Sequence, residues 1–254
     1  MEKIPLNGIS LAYDRRGTGA PLLVVHGFPL DHTTWEPLLP HLEDDFDVLM
    51  PDLRGFGQSD APEGAYTVEQ MAADLAALLD SLKIQKTYLA GHSMGGYVAL
   101  AFTRAYPERV LGLGMVSSQV AADSPESKAK RYATVGEVAV NGVSAVAGMS
   151  EKLSANPAHV AFFREMILRQ RPGGVIGALK AMAERPDSHD LFLSFDFPVV
   201  LVHGLSDALI PPERSREIKA LLPRAELVEL PGVGHSPTLE APVETARALY
   251  RFPV

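Results

Sequence analysis

Apolar positions along this chain follow two rhythms, and their alternation predicts an architecture. Runs at 21–25, 110–116 and 198–202 are almost wholly apolar and are bounded by glycine, proline or polar turns. Short runs apolar on successive residues read as strands covered on both faces, as in a parallel sheet. Further strands are predicted at 46–50, from residue 87 up to the small-residue turn around Ser93, and at 226–230. Residues 4–6 and 9–13 bracket Asn7-Gly8, a pair favoured in tight hairpins. Between the strands the rhythm becomes helical. Met71, Leu75, Leu78, Leu79 and Leu82 share one helical face behind the capping sequence Thr67-Val68-Glu69-Gln70. Helices are also predicted at 33–42, 94–106, 212–222 and 242–250.

From about residue 119 to 195 the alternation stops. Stretches 127–140, 143–153, 157–169 and 175–184 all suit helices, and no strand pattern interrupts them. The expectation is an α/β fold: a mostly parallel sheet with helices on both faces, formed by residues 1–118 and 196–254. Residues 119–195 are then a helical lid inserted between two sheet strands.

Composition narrows the chemistry. With 254 residues and 46% hydrophobic content, the chain can build a substantial core without staples. It has no cysteine, which removes disulfides, thiolate catalysis and cysteine-held zinc. A net charge of −8, with basic residues scattered, argues against a nucleic-acid partner. No apolar run is long enough to span a bilayer, and residues 1–8 show no leader pattern, so a cytoplasmic location is expected.

The most informative stretch is Gly91-His92-Ser93-Met94-Gly95, between the apolar strand that starts at Thr87 and a helix. A strand that reverses sharply into a helix strains its apex residue and brings the flanking backbone too close for a Cβ. The apex hydroxyl is left exposed at a helix N-terminus, which suits a nucleophile. A serine nucleophile needs a base, and the base needs an orienting group. In open α/β sheets such groups gather past the carboxyl ends of strands. Of eight histidines, His41, His159 and His189 lie in helix or lid sequence. His26, His92 and His203, beside glycines at strand ends, are expected to be buried and bonded to backbone. His32 has a suitable position but shares a loop needed for other work. His235, in the loop after the last strand, is the best-placed base. Asp207 follows the strand at 198–202 and is favoured as orienter over Asp52, whose neighbour Arg54 suggests a locally paired turn. Backbone N–H of Met94, at the helix start, would face the developing oxyanion.

The order Ser93, Asp207, His235 resembles that of the α/β-hydrolase superfamily. So do His26-Gly27 after a buried strand and Asp52-x-Arg54-Gly55-x-Gly57-x-Ser59. The chain is similar to lidded carboxylesterases, to cofactor-free haloperoxidase-type esterases and to 3-oxoadipate enol-lactonase-like proteins. It departs from the enol-lactonases, which tend to have Asn-Ser-Leu-Gly where this chain has His26-Gly27-Phe28-Pro29. The resemblance implies a serine hydrolase acting on a small-molecule carboxylic ester through an acyl-enzyme, with no metal or organic cofactor. It also places the second oxyanion donor at the backbone N–H of Phe28. Alternatives on the same residues are an enol-lactone or other C–C/C–O bond hydrolase or lyase, and a non-catalytic ligand receptor. Met149, Phe162, Phe163, Met166 and Ile167 are candidate lining for an apolar acyl pocket. Arg164, Arg169, Arg171 and Lys180 are expected on the solvated face of the lid, so small to medium neutral esters are the expected substrates.

Overall fold

Asn7 and Gly8 both adopt positive φ, 47° and 77°, and reverse the chain between β1 (Glu2–Leu6) and β2 (Ile9–Arg16). Six further strands follow: β3 (Ala20–Val25), β4 (Phe46–Pro51), β5 (Thr87–His92), β6 (Val110–Val116), β7 (Val199–Gly204) and β8 (Glu226–Leu230). This computed structural model describes residues 1–252. Among the described residues the strands form one sheet in the order β1-β2-β4-β3-β5-β6-β7-β8. The β1–β2 and β2–β4 pairs are antiparallel, and every later pair is parallel.

The apolar strands divide their side chains between two cores, as a period of two requires. Leu23 and Val25 of β3, Leu89 of β5 and Leu201 of β7 join a core shared with α1 (Val68–Ser81) and α2 (Met94–Ala105). Leu22 and Val24, with Ala90, Val200 and Val202, face the opposite core. There they meet Trp35, Leu38 and the apolar side of α8 (Pro242–Leu249). Trp35 is therefore a packing residue, 1% exposed, rather than part of a pocket.

Between β6 and β7 the chain forms α3 (Pro125–Asn141), α4 (Val160–Leu168) and α5 (Pro172–Glu184). Stretch 142–151 is 3₁₀ rather than the α-helix expected over 143–153. The helix expected over 157–169 splits into a 3₁₀ turn, Pro157–His159, followed by α4. The helix expected at 33–42 is likewise two 3₁₀ segments, His32–Thr34 and Glu36–His41. Pro40 lies inside the second, where its missing N–H breaks an α-helical ladder. After β7 come α6 (Glu213–Leu221) and the short α7 (Pro237–Glu240).

The sheet order places the functional end. From β3 the chain moves to β4 on one side and then returns to β5 on the other. The loops leaving β3 and β5 therefore diverge around a crevice, the usual ligand position in open α/β sheets.

One expected pairing is wrong. Arg54 does not pair with Asp52. Its guanidinium forks onto Asp74 of α1, at 2.5 and 2.7 Å, and Asn7 Nδ2 donates to the same carboxylate at 3.0 Å. Asp52 instead accepts from the backbone N–H and Nδ1 of His32. Sequence proximity lost to the positions of α1 and the loop after β3. Asp74→Ala should leave the Arg54 charge buried without a partner and cost about 3–5 kcal/mol. A urea midpoint equal to that of the parent would show the pair contributes nothing.

Candidate active site

Ser93 sits at φ 53° and ψ −115°, between the end of β5 and the first residue of α2, Met94. A non-glycine residue holds such angles only when its surroundings enforce them. Here they do. Ser93 N–H donates to Val116 O at 2.9 Å, and Ser118 Oγ donates to Ser93 O at 2.8 Å. A Cβ on Gly91 would collide with Gly95 O, and one on Gly95 with Val25 O. The glycines let β5, α2 and the end of β3 close together, which pushes the Ser93 side chain out of the turn.

The three residues named from the sequence meet there. Ser93 Oγ lies 2.9 Å from His235 Nε2, and His235 Nδ1 lies 2.8 Å from Asp207 Oδ2. A carboxylate only accepts, so Nδ1 carries the proton and Nε2 accepts from the serine. Backbone N–H of Leu209 and Ile210 donate to Asp207 Oδ1, at 2.8 and 2.9 Å. Burial pushes the Asp207 carboxyl up, but these donors with His203 and His235 outweigh it and hold it far below the usual carboxylate range. Asp207 is thus kept ionised and aimed at the imidazole.

Two of the set-aside histidines support this chain. His203 Nε2 donates to Ile210 O at 2.9 Å and lies 3.3 Å from Asp207 Oδ2. Ser215 Oγ donates to its Nδ1 at 2.6 Å. His92 Nε2 donates to the backbone carbonyl of His235 at 2.7 Å. Both are buried and bonded to backbone as expected, but the carbonyl that His92 holds belongs to the candidate base. Full burial, with His235 alongside, lowers the His92 imidazole to about 3. Glu240 was missed: its carboxylate accepts from the backbone N–H of Gly234 at 3.0 Å and Ala155 at 2.9 Å, joining the His235 loop to the helical segment. A glutamate five residues beyond a candidate base carries no sequence signal of that kind.

Phe28, expected to carry an oxyanion donor, lines the same pocket as Ser93 and His235. Gly27 brings its loop against the serine: a Cβ there would lie 3.2 Å from Ser93 Cβ and 2.9 Å from His92 Nδ1. That loop is fixed from two directions. Asp52 holds His32, and Asp31 accepts from Arg169 at 2.7 and 3.0 Å and from Gln170 at 3.2 Å. Asp31, His32 and Asp52 form a compact buried cluster with metal-ligand spacing. Their carboxylate oxygens already accept from Thr33, Arg169, Gln170, His32 and Gln58, so the donor set suits a hydrogen-bond hub better than a cation.

The pocket is a cavity of about 360 Å³ roofed by the helical segment. Its lining differs from the apolar set expected. Only Met149 of that set lines it. Phe163, Met166 and Ile167 are buried in the core, and Phe162 faces outward, because α4 packs its apolar face inward. Arg169 and Arg171 are occupied with Asp31 and with carbonyls of Phe56, Gly57 and Ser59. The pocket cations come instead from α3, as Lys130 and Arg131.

Comparison with known proteins identifies the fold family. The alpha/beta hydrolase fold family matches residues 20–242. The chain belongs to that family. A thermophilic esterase from Thermogutta terrifontis, solved with malate bound, is 38% identical with a TM-score of 0.94, covering 99% of this chain and 97% of that one. The enol-lactonase from Burkholderia xenovorans LB400 superposes with a TM-score of 0.91 over 99% of both chains, a likeness of fold at 24% identity. The dihydrolipoyllysine-residue acetyltransferase component of the acetoin cleaving system of Pseudomonas putida is 33% identical over 243 residues. That match spans 92% of this chain but 63% of the relative. Family and relatives together support a hydrolase. Among the described residues no helix is long and apolar enough to cross a membrane.

The neutral buried His92 has a measurable consequence. An unfolded histidine titrates near 6.5, so between there and about 3 only the unfolded chain takes up the proton. Stability present above about 6.5 is therefore lost as pH falls, by up to roughly 1.4 kcal/mol per pH unit. His26, also lowered by burial, acts in the same direction. His32 is raised by Asp52 against its burial, so its contribution is already complete below about 6.5 and does not alter the slope there. Urea midpoints from about pH 6 to about pH 4.5 should fall less steeply in His92→Gln than in the parent. Equal slopes would mean that His92 is not held neutral.

Proposed function

We propose that this protein hydrolyses carboxylic esters of small to medium size through an acyl-enzyme. The observation that carries the reading is the unbroken hydrogen-bond chain Ser93–His235–Asp207 opening into the pocket. Ser93 Oγ attacks the ester carbonyl carbon while His235 Nε2 takes the hydroxyl proton, and Asp207 keeps the imidazole in the required tautomer. Backbone N–H groups of Met94 and Phe28 receive the oxyanion. The tetrahedral intermediate collapses, and His235 gives the proton to the departing alkoxide. Water, deprotonated by His235, then attacks the acyl carbon and releases the acid and Ser93. The chain and water supply every group this sequence needs.

The Thermogutta esterase, close in fold and 38% identical, supports ester cleavage over lyase chemistry. In this reading residues 119–195 act as the lid over the core of residues 1–118 and 196–254. A lactone is an internal ester, so an enol-lactone would enter the same mechanism. A receptor role would leave the hydrolytic chain idle.

Ser93→Ala should lower turnover of a nitrophenyl ester by about 10⁵–10⁶-fold, roughly 7–8 kcal/mol, with the fold retained. The parent should show a burst of nitrophenol and an acyl mass on Ser93, then turnover well beyond one equivalent. Hydrolysis in Ser93→Ala within tenfold of the parent ends the assignment. Asp207→Asn should cost about 10⁴-fold near neutral pH through the wrong imidazole tautomer. Asp52→Asn should instead lower the unfolding midpoint, because its carboxylate ties His32 to Gln58. A folded but silent Asp52→Asn beside an active Asp207→Asn would reverse the two carboxylates.

A further inference from the structure

The chain carries a net charge of −8, yet its pocket is not acidic. The charged side chains lining it are Lys130, Arg131 and Asp123, and the single carboxylate is already engaged. Asp123 accepts from Arg131 Nε at 2.5 Å and from Arg185 Nη1 at 2.6 Å. Its burial raises the carboxyl, but hydrogen bonds and charge from the two arginines outweigh this and hold it ionised. Two guanidiniums against one carboxylate leave one positive charge in excess.

The two arginines have different duties. Arg185 is enclosed, with a side chain 3% exposed, its guanidinium 4.1 Å from the Tyr97 ring centre and Nη2 on Ala121 O. It neutralises Asp123 from behind. Arg131 is 24% exposed and reaches the cavity, with Nε on Asp123 and Nη1 directed at Met182 Sδ at 3.4 Å. Among the described contacts its Nη2 has no acceptor. Lys130, at the rim, is paired with Glu126 in solvent and adds little. A cation held in place by a buried partner in the wall of a concave site, with one N–H group left without an acceptor, is preorganised for an anionic oxygen.

We propose that the pocket selects esters carrying one carboxylate besides the ester group, with Arg131 as the specificity-determining residue. This rests on the reading of the cavity as an ester site. The carboxylate accepts from Nη2 of Arg131, while the ester carbonyl lies at Ser93. A neutral ester has nothing for that group, and a second carboxylate would meet Asp123. The apolar lining of Val146, Met149, Leu179 and Met182 takes the carbon chain between the two ends.

The test compares matched esters. Nitrophenyl hemisuccinate is nitrophenyl butyrate with its terminal methyl replaced by carboxylate, which probes the acyl arm. Carboxyphenyl butyrate against phenyl butyrate probes the alcohol arm. For at least one pair, the ratio of kcat/KM for the charged ester to that for the neutral one should fall about tenfold in Arg131→Gln. Arg131→Lys should restore part of it. Asp123 keeps Arg185 in both variants, and an unfolding curve confirms that each is folded. Ratios unchanged for both pairs in a folded Arg131→Gln overturn the proposal. If the parent hydrolyses none of these esters faster than Ser93→Ala, acyl transfer is what fails. Calorimetry with monomethyl succinate on the parent and Arg131→Gln then decides the inference: weaker binding in the variant upholds it, and equal or absent binding overturns it.

Discussion

The passage of β5 into α2 through Ser93 is the constraint on which the rest of this structure depends. A residue with a Cβ is held at φ 53°, and it stays there because neighbouring backbone approaches closer than any side chain at Gly91 or Gly95 would allow. Val116 and Ser118, at the end of β6, complete the enclosure. The same closeness that strains the turn puts the serine hydroxyl at a helix N-terminus and at hydrogen-bond distance from His235. Relaxing any of these approaches would let the serine fold back into the turn.

Around that turn, rigidity is built largely from buried polar groups. Asp52 ties the loop after β3 to the loop after β4, while Asp31 ties it to Arg169 and Gln170. Gln170 also accepts from Gly57 N–H, so one side chain joins the helical segment to both loops. Glu240 does the same on the other side, between the His235 loop and residue 155. The roof of the pocket and the loops beneath it therefore share partners, and displacement of one is felt by the other.

The electrostatics follow the same division between rigid support and available groups. Asp207 and Asp123 are both buried carboxylates held ionised by several donors. Asp207 spends its charge on an imidazole that must change protonation state. Asp123 spends its charge on arginines that never do, and so leaves a fixed positive edge.

The sheet, its two faces, the turn at Ser93 and the chain order of Ser93, Asp207 and His235 were legible in the sequence. They depend on local signals: apolar periodicity, glycine at a close approach, and the rule that loops past strand carboxyl ends converge. The lining of the pocket was not legible. Met149 and Met166 look alike in sequence, yet Met149, on the 3₁₀ stretch 142–151, becomes a pocket wall, and Met166, on the inward face of α4, becomes core. Arg54 stood two residues from Asp52 but found Asp74 across the fold. Arg131 was one of several basic residues in a polar helix until Asp123 and Arg185 were brought beside it. Local backbone geometry is written in short stretches of chain. Which charge meets which is decided by segments far apart in sequence, because a charge takes the partner that the packed elements put nearest.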